Sequence, residues 1–200
     1  MCDSTTKETP RVYVACLASY NAGHLHGRWI DVDGDADDIQ EQVRAMLRES
    51  PEPNVMVDCP ECDGEGCDQC GDSGKVPSAE EWAIHDYEGF GSYSLSEWES
   101  FETVAQLAAM IEKHGLAYPA WVAHVGADFD DEEGFEEAYC GQWDSEKDYA
   151  EELFDECYAH DIPENLRFYI DYEAFSRDLF IGDNYSVDCP DGGVWVFRNC

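Results

Sequence analysis

RVYVACLASYNAGHLHGRWIDV, residues 11–32, decides the fold class. Its two ends, RVYVACLA (Arg11 to Ala18) and LHGRWIDV (Leu25 to Val32), alternate β-branched and aromatic residues with small or polar ones, and Asn21 and Gly23 lie between them. That combination predicts two strands joined by a turn, a hairpin. Outward from it the period changes. From Asp37 the apolar residues Ile39, Val43, Met46 and Leu47 recur at helical spacing until Pro51 and Pro53 stop them. Asn54 to Val57 reads as a strand, and Ser78 with Glu81 as a capping box for a short helix carrying Trp82 and Ile84. Ser94 to Gly115 is helical in pattern, Pro119 opens another short helix, and a helix from about Ser145 turns Tyr149, Leu153, Phe154 and Cys157 inward. Further helical stretches open at Pro163 and run from Asp171 to Leu179, and Gly192 to Arg198 closes the chain as a strand. Hairpins and short helices without a βαβ rhythm predict an α+β fold. We expect an elongated chain of three small modules: 1–93, α+β with a cysteine-rich insert at about 58–76; 94–135, helical; and 136–200, α+β.

Charge narrows the function. The 200 residues carry 46 Asp and Glu against 11 Lys and Arg, a net charge of -35, together with 26 aromatic residues that can close a core. Successive fifty-residue quarters carry -4, -12, -10 and -9, so the acidity belongs to the body of the protein and not to a tail. Carboxylates in such excess repel one another across the surface at a cost in stability. A pI near 4.1 argues against direct binding to nucleic acid or anionic lipid. A dense negative surface instead suits a cationic groove built for nucleic acid. The densest stretch is DFDDEEGFEE, with Asp128, Asp130, Asp131, Glu132, Glu133, Glu136 and Glu137. It is followed by Asp144 and then by Glu146, Asp148, Glu151, Glu152, Asp155 and Glu156 on the outer side of the helix from Ser145.

Other motifs exclude more than they supply. The chain contains no P-loop, nucleophile elbow, H-E-x-x-H or dinucleotide glycine pattern, and its six histidines lie apart except for His24 and His26. We therefore expect no enzymatic activity and assign no catalytic residue. Asp31-Val-Asp33-Gly-Asp35 resembles the start of a calcium loop. Counted from Asp31, however, the sixth and twelfth positions hold Ala36 and Gln42 where an EF-hand needs Gly and Glu. A capped helix start is the better account. Met1 to Pro10 is polar and no 18 apolar residues run together, which predicts a cytoplasmic protein with neither signal peptide nor membrane span.

Cys59-Pro-Glu-Cys62 and Cys67-Asp-Gln-Cys70 stand four residues apart, with Gly64, Gly66, Gly71 and Gly74 allowing tight turns around them. Four soft ligands at this spacing predict a structural zinc ion, with a redox dithiol pair or disulfides as the alternative. Cys2, Cys16, Cys140, Cys157, Cys189 and Cys200 are scattered, as reduced thiols usually are. The cluster resembles one half of the cysteine-rich region of DnaJ-type chaperones, with a very short spacer.

Longer blocks carry a second resemblance. YVACLASYNAGHLHGRWID (Tyr13 to Asp31), EWAIHDYEGF (Glu81 to Phe90) and YIDYEAFSRDLFIGDNYSV (Tyr169 to Val187) followed by GGVWVF are similar to the ArdA antirestriction proteins. The cysteine insert, roughly Asp58 to Val76, departs from the common pattern of that family. The resemblance implies a curved homodimer, paired through its C-terminal module, that mimics B-form DNA and occupies the DNA groove of type I restriction-modification enzymes. Such proteins travel on mobile genetic elements. It makes the fourteen acidic residues of the segment 128–156 named above the candidate DNA-mimic surface. Two chains together carry twice 35, or 70, net charges, which at one per about 1.7 Å matches very roughly 120 Å of duplex. Dense aromatic residues from Leu166 to Phe197, Phe168 and Tyr169 among them, supply an apolar surface for pairing. The alternatives are an acidic zinc-binding, chaperone-like module, or halophile-type acidity without mimicry.

Overall fold

The structure, a computed structural model, describes residues 9–51, 56–59, 61–77, 81–126 and 131–199. It is α+β, with small antiparallel sheets, and divides into two compact units, 1–113 and 114–200.

In the first unit β1 (Arg11–Cys16) is the middle strand of a three-stranded sheet. The hairpin forms as the alternation predicts: β2 (Gly27–Asp31) pairs antiparallel with β1 from Arg11↔Asp31 to Ala15↔Gly27. Its connection contains a short helix, α1 (Leu17–Asn21), before Gly23 turns the chain at φ +85°. Val12, Val14 and Ile30 are fully buried beneath α2 (Ala36–Arg48), whose Ile39, Val43, Met46 and Leu47 face the sheet. Asp35 caps that helix, its carboxylate accepting from the backbone N–H groups of Asp37 and Asp38. The aspartate run is thus a helix start. Asp35→Ala should cost about 1 kcal/mol of unfolding free energy, readable as a lower urea midpoint with an unchanged slope.

The ribbon of β3 (Met56–Asp58) and β4 (Lys75–Pro77) encloses the cysteine cluster. One expectation fails directly after it. Trp82 and Ile84 lie in a strand, β5 (Trp82–Glu88), and not in a helix; Ser78, the proposed cap, lies outside the described residues. β5 pairs with β1 as Val14↔Ile84 and Cys16↔Trp82, and the Trp82 ring stacks on Phe101 at 4.1 Å. Pairing along the central strand and a half-buried aromatic stack outweigh a local capping signal. The next helix, α3 (Phe101–His114), begins seven residues later than its pattern suggested, because Ser100 caps it by accepting from the Thr103 N–H. Gly115, at φ +71°, ends it as expected.

The second unit is built around rings. After α4 (Ala117–Val125), in which Pro119 is the third residue and not the first, comes α5 (Glu132–Ala138). Phe135 of α5 is buried among His114, Tyr118, Trp121, Tyr139 and Phe197, with ring centroids 4.9 to 6.2 Å away. The sheet here has the order β6-β8-β7. β6 (Tyr139–Trp143) and β7 (Asn184–Asp188) flank β8 (Val194–Arg198), the closing strand expected from Gly192 to Arg198. α6 (Glu146–Cys157), capped by Ser145, packs on α8 (Tyr172–Gly182), with the single-turn helix α7 (Glu164–Arg167) between them in sequence. Tyr149 of α6 is buried and Leu153 and Phe154 are half-buried, but Cys157, expected inward, is exposed where the last turn leaves the core. No helix among the described residues is long and apolar enough to cross a membrane.

Candidate functional site

Helical geometry places the acidic residues of α6. Side chains three and four positions apart stand about 5–6 Å from each other, so Asp148, Glu151, Glu152, Asp155 and Glu156 form a continuous face once Tyr149, Leu153 and Phe154 turn inward. With Gln142, Trp143 and Asp144 from the end of β6, they line an open groove of about 730 Å³. Six carboxylates therefore border one concave surface. Most are exposed; Glu151 is half-buried. Ser145 holds the first turn by accepting from the Asp148 N–H and donating to the Asp148 carboxylate.

Neighbouring groups fix this face, and among the described residues one cation, Lys147, lies against it. Tyr172 donates to Asp155 Oδ1 at 2.9 Å, a bond that raises the phenol's pKa above its ordinary value. Lys147 donates to Glu173 at 2.7 Å and lies 3.8 Å from Glu151. The hydrogen bond to Glu173 and its charge raise the lysine pKa and keep it protonated. Ser186 of β7 donates to Glu146 at 2.7 Å, outside the groove.

Of the other sequence-selected acids, Asp128 and Asp130 lie outside the described residues. Asp131 caps α5 by accepting from Gly134 N–H, while Glu133, Glu136 and Glu137 are exposed on that helix. Glu132 differs from them: its carboxylate is 2.7 Å from His114 Nε2 and largely covered. Sequence reading missed Gln142 and Trp143. The alternation of YCGQW is interrupted at Gly141, where φ is +104° and the register against β8 shifts, so the strand left no period-2 signal.

The cysteines form the second constellation. Cys59, Cys62, Cys67 and Cys70 bring their sulfurs within 4.8 Å of one another. Cys59 to Cys67, Cys62 to Cys70 and Cys67 to Cys70 measure 3.8, 3.9 and 3.7 Å. Four thiolates about 2.3 Å from a tetrahedral zinc ion would stand about 3.8 Å apart, so the donor set and its spacing fit that ion. Backbone N–H groups already aim at the sulfurs, Gly66 to Cys62 at 3.1 Å and Cys67 to Cys70 at 3.2 Å. The thiols are unequal. Burial, helped by the sulfurs of Cys62 and Cys67, pushes Cys59 up to about 11. At Cys70 burial acts in the same direction, but hydrogen bonds from the Cys67 and Gly74 backbone and from neighbouring thiols outweigh it and bring the group down to about 6. Gly74 is required here, because a Cβ on it would meet the Gly64 carbonyl oxygen at 2.1 Å. Asp58, Glu61, Asp63, Glu65, Asp68 and Asp72 are exposed around the cluster, and Lys75 pairs with Asp58.

Compared with known families, the chain matches the model described as antirestriction protein (ArdA) over residues 12–190. No curated protein matches it.

Proposed function

The chain belongs to the ArdA antirestriction family, and from that premise we propose that it imitates B-form DNA and occupies the DNA-binding groove of type I restriction-modification enzymes. It acts by binding and not by catalysis, in the cytoplasm where those enzymes meet incoming DNA. The observation that carries this reading is the row of exposed carboxylates on α6, one helical turn apart, bordering a groove with Asp144. Rows of negative charge about 5–6 Å apart present to Lys and Arg what a phosphate backbone presents. Glu133, Glu136, Glu137 and Glu146 add to the same charge. The deciding experiment is cleavage of unmodified DNA by a type I enzyme with and without the protein. Inhibition should be relieved by an excess of short duplex DNA and by added salt, because both compete with a many-charge contact. Inhibition indifferent to both would overturn the reading.

Cys59, Cys62, Cys67 and Cys70 hold one structural zinc ion in this proposal. The ion would fix the insert between β3 and β4 and requires all four sulfurs as thiolates.

The functional form is a homodimer joined through the second unit. Phe168, Tyr169 and Ile181 are 91%, 78% and 76% exposed, whereas Trp195 and Phe197, from the same aromatic segment, are buried in the sheet. Covering one large apolar side chain contributes about 1.5–3 kcal/mol. Phe168→Ser should therefore weaken pairing by about 10- to 100-fold. Light scattering across a salt series checks it: association should tighten as salt screens the repulsion between two strongly negative chains. A monomer at every ionic strength would remove the dimer.

A further inference from the structure

Three donors outside both constellations converge where the second unit begins. Glu132 and Glu136 are four residues apart on α5, so their side chains leave the same face of the helix. His114 is the last residue of α3, held against Tyr118 and Phe135 with ring centroids 5.8 and 4.9 Å away. Its side chain is only 13% exposed, and its Nε2 lies 2.7 Å from Glu132 Oε1. One ligand atom of each of the three residues lies within 4.8 Å of the other two.

We infer that His114, Glu132 and Glu136 bind a divalent transition-metal ion of the zinc class, separately from the cysteine cluster. A hydrogen-bonded His–Glu pair needs only Glu132. Glu136 adds a second carboxylate on the same side, and a cation held between the two would relieve their like-charge repulsion at this helical spacing. An imidazole nitrogen with two carboxylate oxygens is a three-ligand set that leaves a coordination position for water. The imidazole selects zinc-like ions over magnesium and calcium, which prefer all-oxygen shells. Bonds of about 2.0–2.2 Å to a tetrahedral ion put ligand atoms about 3.3–3.6 Å apart. Glu132 would open from its 2.7 Å hydrogen bond to that spacing as the metal replaces the shared proton, and the exposed Glu136 side chain can reach the ion by rotation, while the packed imidazole stays in place. The field of a chain with a net charge of -35 draws cations to the site.

The test uses the full-length protein, incubated with one equivalent of zinc and then titrated with zinc chloride. Calorimetry follows the affinity, and NMR of the histidine rings follows the site. The ring signals of His114 report this site alone, whatever the cysteines hold. They should shift on titration, and Glu136→Gln should weaken that binding by at least about tenfold, since loss of even an indirect ligand support costs that much. Glu133→Gln, an equal change of charge on the same helix, should leave it within about twofold. Unmoved His114 signals, unchanged affinity in E136Q, equal weakening in E133Q, or saturation by magnesium at the same concentration would each overturn the inference.

Discussion

Replacing Asp144, Asp148, Glu151, Glu152, Asp155 and Glu156 together by their amides is expected to abolish inhibition of a type I enzyme at concentrations where the native chain is saturating. Each exposed ion pair contributes only about 0–1 kcal/mol. Six acting on one groove sum to as much as about 6 kcal/mol, a loss of up to roughly 10⁴-fold in affinity. Any single substitution should cost less than about tenfold. The same change should raise the melting temperature, because Asp148 and Glu152, Glu151 and Asp155, and Glu152 and Glu156 are like-charged pairs four residues apart on α6. Asparagine at 155 can still accept from Tyr172, so packing of α6 on α8 survives. Weaker binding with greater stability cannot be mistaken for unfolding. A lone carboxylate whose removal abolished inhibition would point to an active site instead.

The second large effect concerns the cysteines. Zinc binding to four-ligand sites of this size contributes about 10–16 kcal/mol near neutral pH, far more than the end of a two-stranded ribbon can supply alone. Cys62→Ser should therefore release the tightly held equivalent of metal and unfold the segment between β3 and β4. Metal analysis of the reduced protein and hydrogen exchange of the Cys59–Lys75 amides follow these losses. Inhibition should persist, because the groove on α6 belongs to the second unit. Less than half an equivalent of zinc in the native protein would remove the site. Loss of inhibition in C62S would make the insert part of the binding surface.

How much of this was legible in the sequence depended on the range of the interactions. The β1–β2 hairpin, the capped helix start in the aspartate run and the exposed face of α6 are set by neighbours within about one turn or one short connection, and they read directly, although the capping residue, Asp35, was identified only by the structure. The cysteine cluster was legible because its four ligands lie within twelve residues. β5 was misread because its strand character comes from β1, some seventy residues earlier, while a capping box supplied a competing local signal. The Gln142 and Trp143 wall depends on pairing across the chain with Trp195 and Val194. His114 and Glu132, eighteen residues apart on different helices, meet through tertiary packing that also sets the His114 ring against Phe135.

The central position of β1 sets an order of events during synthesis. β2 emerges soon after β1 and can pair with it at once, but the opposite edge of β1 waits for β5, with Glu88 lying seventy-seven residues beyond Arg11. Until then, that edge is an unpaired template for the wrong partner. The entropic cost of closing so long a loop rises with its length. The ribbon pairing Met56 with Pro77 folds part of the intervening chain back on itself, so the entry and exit of the insert come together before β5 arrives. The cysteine insert thereby shortens the effective loop, and a nascent chain supplied with metal should reach its completed sheet sooner than one without.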